Sequence, residues 1–147
     1  MTADLKAHAD RLRELHHADE MLVLPNVWDA ASAKIVAEAG FPVVATASAA
    51  ISAMLGYPDG EGAPWQEMFA AAGRVARAVP VPVTVDAEAG YGMEPRELVG
   101  RLLEIGAVGC NHLLNKESLP YLPPLARARL GFRDQWLMLR RRAGFGD

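Results

Sequence analysis

The chain has 147 residues, 51% of them hydrophobic, which is enough for one domain with a packed core and argues against a disordered chain. Its formal net charge of -3 gives the chain as a whole no polyanion-binding surface, so nucleic acid is not an expected partner. The single cysteine, Cys110, excludes an internal disulfide framework and fits a reducing, cytoplasmic setting. No apolar run approaches the roughly 18 residues of a membrane span, and Met1-Thr2-Ala3-Asp4-Leu5-Lys6 has no apolar stretch behind a basic start, so no membrane partner is expected.

Residues 3–18 are expected to be helical, because Leu5, Ala9, Leu12 and Leu15 recur at spacings of three and four with charges between them. Residues 21–26 form a short apolar run that reads as a buried strand. Asp29 can cap a second helix over 30–39, which Gly40 stops. Residues 41–46 are apolar and β-branched and read as a second strand. The stretch 47–62 is small, Gly-containing and turn-rich, so a loop is expected, with room for one helical turn. Pro64 opens a helix through residue 79, at an early position where its missing N–H costs nothing. Residues 81–86 read as the third strand, 95–105 as a helix ended by Gly106, and 107–111 as a fourth short strand.

The third strand ends in Asp86-Ala87-Glu88, followed by Gly90-Tyr91-Gly92. A strand sends every second side chain to one face, so Asp86 and Glu88 are expected to point the same way. Like charges so placed raise each other's pKa. A divalent cation relieves this, and Mg²⁺, an oxygen-binding ion that keeps several waters, is the cation expected.

Strands alternate with helices, and the strands are continuous apolar runs, so an α/β fold with a parallel sheet covered on both faces is expected. The architectures left open are a doubly wound sheet and a (β/α)8 barrel. No Gly-x-Gly-x-x-Gly follows the first strand, which weighs against a dinucleotide fold. Polar residues cluster where strands end: Asn26, Trp28, Asp29, Thr46, Ser48, Asp59, Asp86, Glu88 and Asn111. In a barrel that rim is where an active site is built.

Four motifs carry a resemblance. They are Pro25-Asn26-Val27-Trp28-Asp29-Ala30-Ala31-Ser32-Ala33, then Thr46-Ala47-Ser48 with Leu55-Gly56-Tyr57-Pro58-Asp59-Gly60, then the Asp86–Gly92 run, then Gly106-Ala107-Val108-Gly109-Cys110-Asn111. In order and spacing, residues 1–111 resemble the N-terminal half of the isocitrate lyase / phosphoenolpyruvate mutase superfamily. The resemblance implies Mg²⁺-dependent (β/α)8 enzymes that cleave or form C–C or P–C bonds in small 2-oxo or 2-hydroxy acids through an enolate. It implies that Asp86 holds Mg²⁺, directly or through water, that Glu88 binds metal waters, and that Asp59 joins the same acidic cluster. Asp59 and Glu88 are thus the catalytic candidates. Thr46, Ala47 and Ser48 would offer backbone N–H and hydroxyl groups to a small carboxylic-acid substrate, and Trp28 would wall the pocket.

The resemblance stops at Asn111. There the family continues into Leu-Glu-Asp, whose Glu is a further metal-shell ligand, whereas this chain reads His112-Leu113-Leu114-Asn115. A whole (β/α)8 barrel takes about 250 residues. The expected fold is therefore a partial TIM-type barrel of about four βα units over 1–111, followed by a divergent helical or irregular tail over 112–147. Residues 1–111 carry a net charge of -7 and residues 112–147 a net charge of +4. That reversal, with the loss of pattern, suggests a tail of unrelated sequence, such as the product of a frameshift. Two functional classes follow: a lyase or mutase-type enzyme, or a truncated, catalytically inactive half-barrel that self-associates as a homo-oligomer through exposed barrel edges.

Each candidate also has a plainer reading. Asp86 and Glu88 suit a solvated strand end, and Asp59 sits in Pro-Asp-Gly, a turn signature. Trp28 suits core packing, while Thr46 and Ser48 suit close packing among alanines. Cys110 reads as a buried apolar residue rather than a nucleophile.

Overall fold

The computed structural model of the chain describes residues 3–111. The expected tail at 112–147 lies outside the described residues. In chain order the elements are α1 (Ala3–His17), β1 (Asn26–Val27), α2 (Ala30–Glu38), β2 (Val44–Thr46), α3 (Ser48–Leu55), α4 (Trp65–Ala78), β3 (Val83–Asp86), α5 (Pro95–Glu104) and β4 (Gly109–Asn111).

The four strands form one parallel sheet in the order β1-β2-β3-β4. Each strand thus pairs with the next in sequence, as in a barrel wall, and among the described residues the reversal of order that marks a doubly wound sheet does not occur. Asn26 pairs with Ala45, Ala45 with Thr84, and Thr84 with Gly109. The register sets Asp86 beside Asn111 at the C-terminal edge.

The core lies between the sheet and its helices. Val27, Val44, Val83 and Val85 pack with Met68, Phe69, Ala71, Ala72 and Val75 of α4 and with Leu98 and Leu102 of α5. The α4 positions recur at helical spacing, which is why this segment folds as an amphipathic helix. Thr84, pointing to the opposite sheet face from Val83 and Val85, meets a different neighbour. A Cβ at Gly109 would stand 2.8 Å from Leu12 Cδ2 and 3.1 Å from Thr84 Oγ1, so α1 reaches that second face where only glycine fits.

Two sequence expectations change. The apolar run at 21–26 supplies only the start of β1: Met21 is 80% exposed, and pairing begins where Pro25 O accepts from Ala45 N at 3.0 Å. β1 has β2 as its one strand neighbour among the described residues, so the preceding residues find no ladder to join. The stretch expected to be a loop holds α3, two turns of helix with Ser48, Ile51 and Ser52 buried. Gly56 ends it in the left-handed conformation at φ 87°. The capping expectation for α2 holds: Asp29 Oδ1 accepts from Ser32 N at 2.7 Å, and Ser32 Oγ accepts from Asp29 N at 3.2 Å. Those bonds to Ser32 hold the Asp29 carboxyl below the usual carboxylate range.

Candidate functional site

The start of α3, the turn after α3, the end of β3 and the turn after β3 enclose a cleft of about 290 Å³, lined by Ser48, Asp59, Gly60, Glu61, Asp86, Glu88 and Ala89. Three residues named from sequence as acid candidates, Asp59, Asp86 and Glu88, thus share one wall with Ser48. Among the described residues, none of the four acids in this cleft is in a salt bridge; the ion pairs there lie on α1 and α5.

Asp86 is the last residue of β3, and its position is fixed from three sides. Its backbone N–H donates to Thr46 Oγ1 at 3.0 Å, which ties the ends of β2 and β3 together. Its Oδ2 accepts from Ser48 Oγ at 2.7 Å and more weakly from Ser48 N at 3.4 Å. Its Oδ1 accepts from Glu88 N at 3.1 Å. A carboxylate offers about four acceptor sites, so Asp86 retains capacity toward the cleft.

Glu88 does not reach the cleft by strand alternation. β3 ends at Asp86, and Glu88 sits in a turn with φ 48°, in the left-handed region. That conformation turns its side chain back toward the segment after α3. There Glu88 Oε1 accepts from Gly60 N at 3.2 Å and from Glu61 N at 3.1 Å, and Oε2 accepts from the Tyr91 hydroxyl. The residue is only 5% exposed, and these donors replace the water it gives up. Burial, followed by the bond to Glu88 and the charges of Glu88, Glu61 and Asp86, raises the Tyr91 phenol far above its ordinary range.

The residues expected to receive substrate are placed differently. The Thr46 hydroxyl is buried and engaged by Asp86. The Ala47 N–H donates to Val27 O at 3.0 Å, and both Ser48 donors turn to Asp86. Trp28, 44% exposed, lines a separate cleft of about 300 Å³ with Asp29, Ala30, Ala31, Met54, Ala71 and Arg74. Cys110, in β4, has its thiol pKa raised by burial. Asp59 lies on the exposed turn before Gly60.

Residues 12–112 match the phosphoenolpyruvate phosphomutase family. The chain belongs to the isocitrate lyase / phosphoenolpyruvate mutase superfamily. Within it, the chain is 35% identical over 138 residues to oxaloacetate decarboxylase of Bradyrhizobium sp. (strain ORS 278), covering 92% of this chain and 46% of the relative. It is 38% identical over 85 residues to 2,3-dimethylmalate lyase of Eubacterium barkeri, covering 57% of this chain and 29% of the relative. The fold is similar to the crystal structure of phosphoenolpyruvate phosphomutase from Streptomyces platensis subsp. rosaceus, with a TM-score of 0.66 and 29% identity over 71% of this chain and 37% of that one. The chain spans less than half the length of these superfamily relatives. The matched region contains β1 to β4, so the parallel sheet is a segment of the superfamily's barrel wall.

The donor set suits a cation held largely through water. Among the described residues no three His, Cys, Asp or Glu side chains converge to grip a metal on their own. Mg²⁺ does not need such a cage, since one or two carboxylates and several waters suffice. Asp86, with acceptor capacity left on its carboxylate and further acids lining the same cleft, meets that requirement. Two residues of the cleft and its margin, Glu61 and Tyr91, were not picked out by sequence reasoning. Tyr91 stands inside the Gly90-Tyr91-Gly92 motif, but nothing in the pattern around Glu61 signals its place on the cleft.

Proposed function

We propose that this chain carries the cation-binding portion of a Mg²⁺-dependent lyase or mutase-type site. It would act on C–C or P–C bonds of small 2-oxo or 2-hydroxy acids. The reading is supported above all by the cleft at the ends of β2 and β3, lined by Asp59, Glu61, Asp86 and Glu88, none of them in a salt bridge among the described residues. The printed activities of the relatives, a decarboxylase and a lyase of small acids among them, point the same way. Mg²⁺ bound there would supply positive charge for an oxyanion developing on the substrate. Asp86 would hold the ion, while Ser48 and Thr46 orient its carboxylate and its backbone. Asp59 and Glu88 would bind its waters.

A second reading, of a chain with the cation site but little turnover, is favoured by one observation. The Thr46 hydroxyl, the Ala47 N–H and both Ser48 donors are engaged inside the fold and not directed at a ligand. Thermal unfolding with and without Mg²⁺ tests the shared premise. A ligand at 100 times its dissociation constant stabilises by about 2.7 kcal/mol, which raises the melting temperature by several degrees. Asp86→Asn should abolish that rise, and a parent chain with no rise refutes the cation site. Steady-state assays with oxaloacetate and Mg²⁺ then separate the two readings. Robust turnover by the 147-residue chain favours the enzyme, and a metal-stabilised chain without turnover favours the second reading.

A further inference from the structure

Among the described residues, three non-glycine residues hold left-handed backbone: Glu61 at φ 60°, Glu88 at φ 48° and Tyr91 at φ 55°. Such conformations are unfavourable for these residue types and persist only where surrounding contacts over-determine them. These same three residues bond to one another in a closed ring. Glu61 N donates to the Glu88 carboxylate at 3.1 Å, the Tyr91 hydroxyl donates to the same carboxylate, and Tyr91 N donates to Glu61 Oε1 at 2.6 Å. The ring joins the turn after α3 to the turn after β3.

Both ends of the ring are anchored. On one side the Tyr91 ring meets Phe69 edge-on at 5.9 Å, and Phe69 meets Trp65 at 5.6 Å. Arg101 lies 4.8 Å from the Trp65 ring centre, so the stack ties Tyr91 to α4 and α5. On the other side the turn 58–62 closes on itself: a Cβ at Gly62 would stand 2.4 Å from Pro58 O. Asp59 lies in this turn, one residue before Gly60, whose N–H Glu88 also binds at 3.2 Å. Asp86 lies two residues before Glu88, and its Oδ1 holds the Glu88 N–H. The ring therefore fixes the spacing between the chain segments that carry Asp59 and Asp86.

We propose that Glu61 and Tyr91 are positioning residues: with Glu88 they form a clamp that holds Asp59 and Asp86 on one cleft. The clamp itself stands on the geometry alone; its consequence for cation binding rests on the function proposed above. Glu61 acts through its carboxylate on the Tyr91 backbone, and Tyr91 acts through its hydroxyl on Glu88. Glu61 is exposed, so its replacement leaves the core intact. Tyr91→Phe keeps the ring packing and removes only the hydroxyl.

The test uses the full 147-residue chain and two readouts: hydrogen exchange at the Gly60, Glu61 and Tyr91 amides, and Mn²⁺ titration followed by electron paramagnetic resonance. Glu61→Ala should speed exchange at Tyr91, and Tyr91→Phe at Gly60 and Glu61, by about tenfold each, as a lost bond to a charged acceptor predicts. Glu61→Gln, whose side-chain carbonyl still accepts from Tyr91 N, should restore slow exchange. Mn²⁺ affinity per folded chain should fall about fivefold or more in Glu61→Ala and return in Glu61→Gln. Exchange within about twofold of the parent in both Glu61→Ala and Tyr91→Phe overturns the clamp. Faster exchange with unchanged Mn²⁺ affinity overturns the positioning role. A parent chain that binds no Mn²⁺ overturns the cation reading instead, and the amide exchange still decides the clamp.

Discussion

Asp86 shows how one residue can be legible in a sequence while its supports are not. Its place at the end of an apolar strand, before a Gly-rich turn, marks it as a candidate from the pattern alone, and the structure sets it on the cleft. Its partners, Thr46 and Ser48, come from residues about forty positions away. From sequence those hydroxyls read as substrate donors; in the structure they face the carboxylate and its backbone. The difference arises because a parallel ladder sets β2 beside β3 with Ala45 opposite Thr84, and sequence spacing does not encode that register. Glu88 teaches the same lesson: alternation along a strand was the expected route to the cleft, and a left-handed turn is the observed one. Thr46→Val keeps the shape of the side chain and removes the acceptor for Asp86 N–H. In a site this buried the loss should cost about 1–3 kcal/mol of stability, read from urea unfolding. A change below about 0.5 kcal/mol, the ordinary range of a surface substitution, would show that the Thr46 bond does not hold the strand ends.

At the scale of elements, long helices with strong apolar periodicity were readable and small-residue ones were not. α4 displays Met68, Phe69, Ala72 and Val75 on one face, and α5 buries Leu98 and Leu102, so both announce themselves. α3 is built from Ser-Ala-Ala-Ile-Ser-Ala-Met-Leu, where alanine and serine conceal the apolar stripe and a glycine follows. Its helical state is decided by tertiary burial rather than by pattern, a case of packing overriding local signal. Ile51 is the side chain that carries this burial, being 1% exposed within the core. Ile51→Ala should therefore destabilise the chain by about 2–5 kcal/mol, and Ile51→Val by about 0.5–1.5 kcal/mol. Equilibrium unfolding of the pair checks the ratio as well as the size. Equal, small effects would mean that α3 rests on the sheet without being packed into it.

For the whole molecule, the α/β class and the parallel sheet were readable because continuous apolar strands demand cover on both faces. The strand ends were less so: β1 shares only Asn26 with the apolar run at 21–26, and β4 is shorter than the run at 107–111. Both are edge strands among the described residues, with one neighbour apiece. An edge presents unpaired N–H and C=O groups and invites pairing with another chain unless it is short, twisted or covered. The brevity of β1 and β4 limits how much each edge can contribute. Exposed apolar side chains add to the tendency, with Met21 and Val23 just before β1 and Trp28 just after it. Together they place a sticky margin along the β1 side of the sheet, while the acidic cleft lies at the ends of β2 and β3. We expect the purified chain to self-associate through that margin, with a mass that rises across a roughly hundredfold range of concentration in sedimentation equilibrium. Met21→Lys and Val23→Lys together should suppress the rise, because charges on an edge oppose pairing. Because these positions are exposed and outside the cleft, the double variant should keep the Mg²⁺-dependent thermal shift of the parent. A constant monomer mass for the parent chain would rule out the edge as an interface. Suppressed association together with a lost thermal shift would mean instead that the cation site depends on assembly.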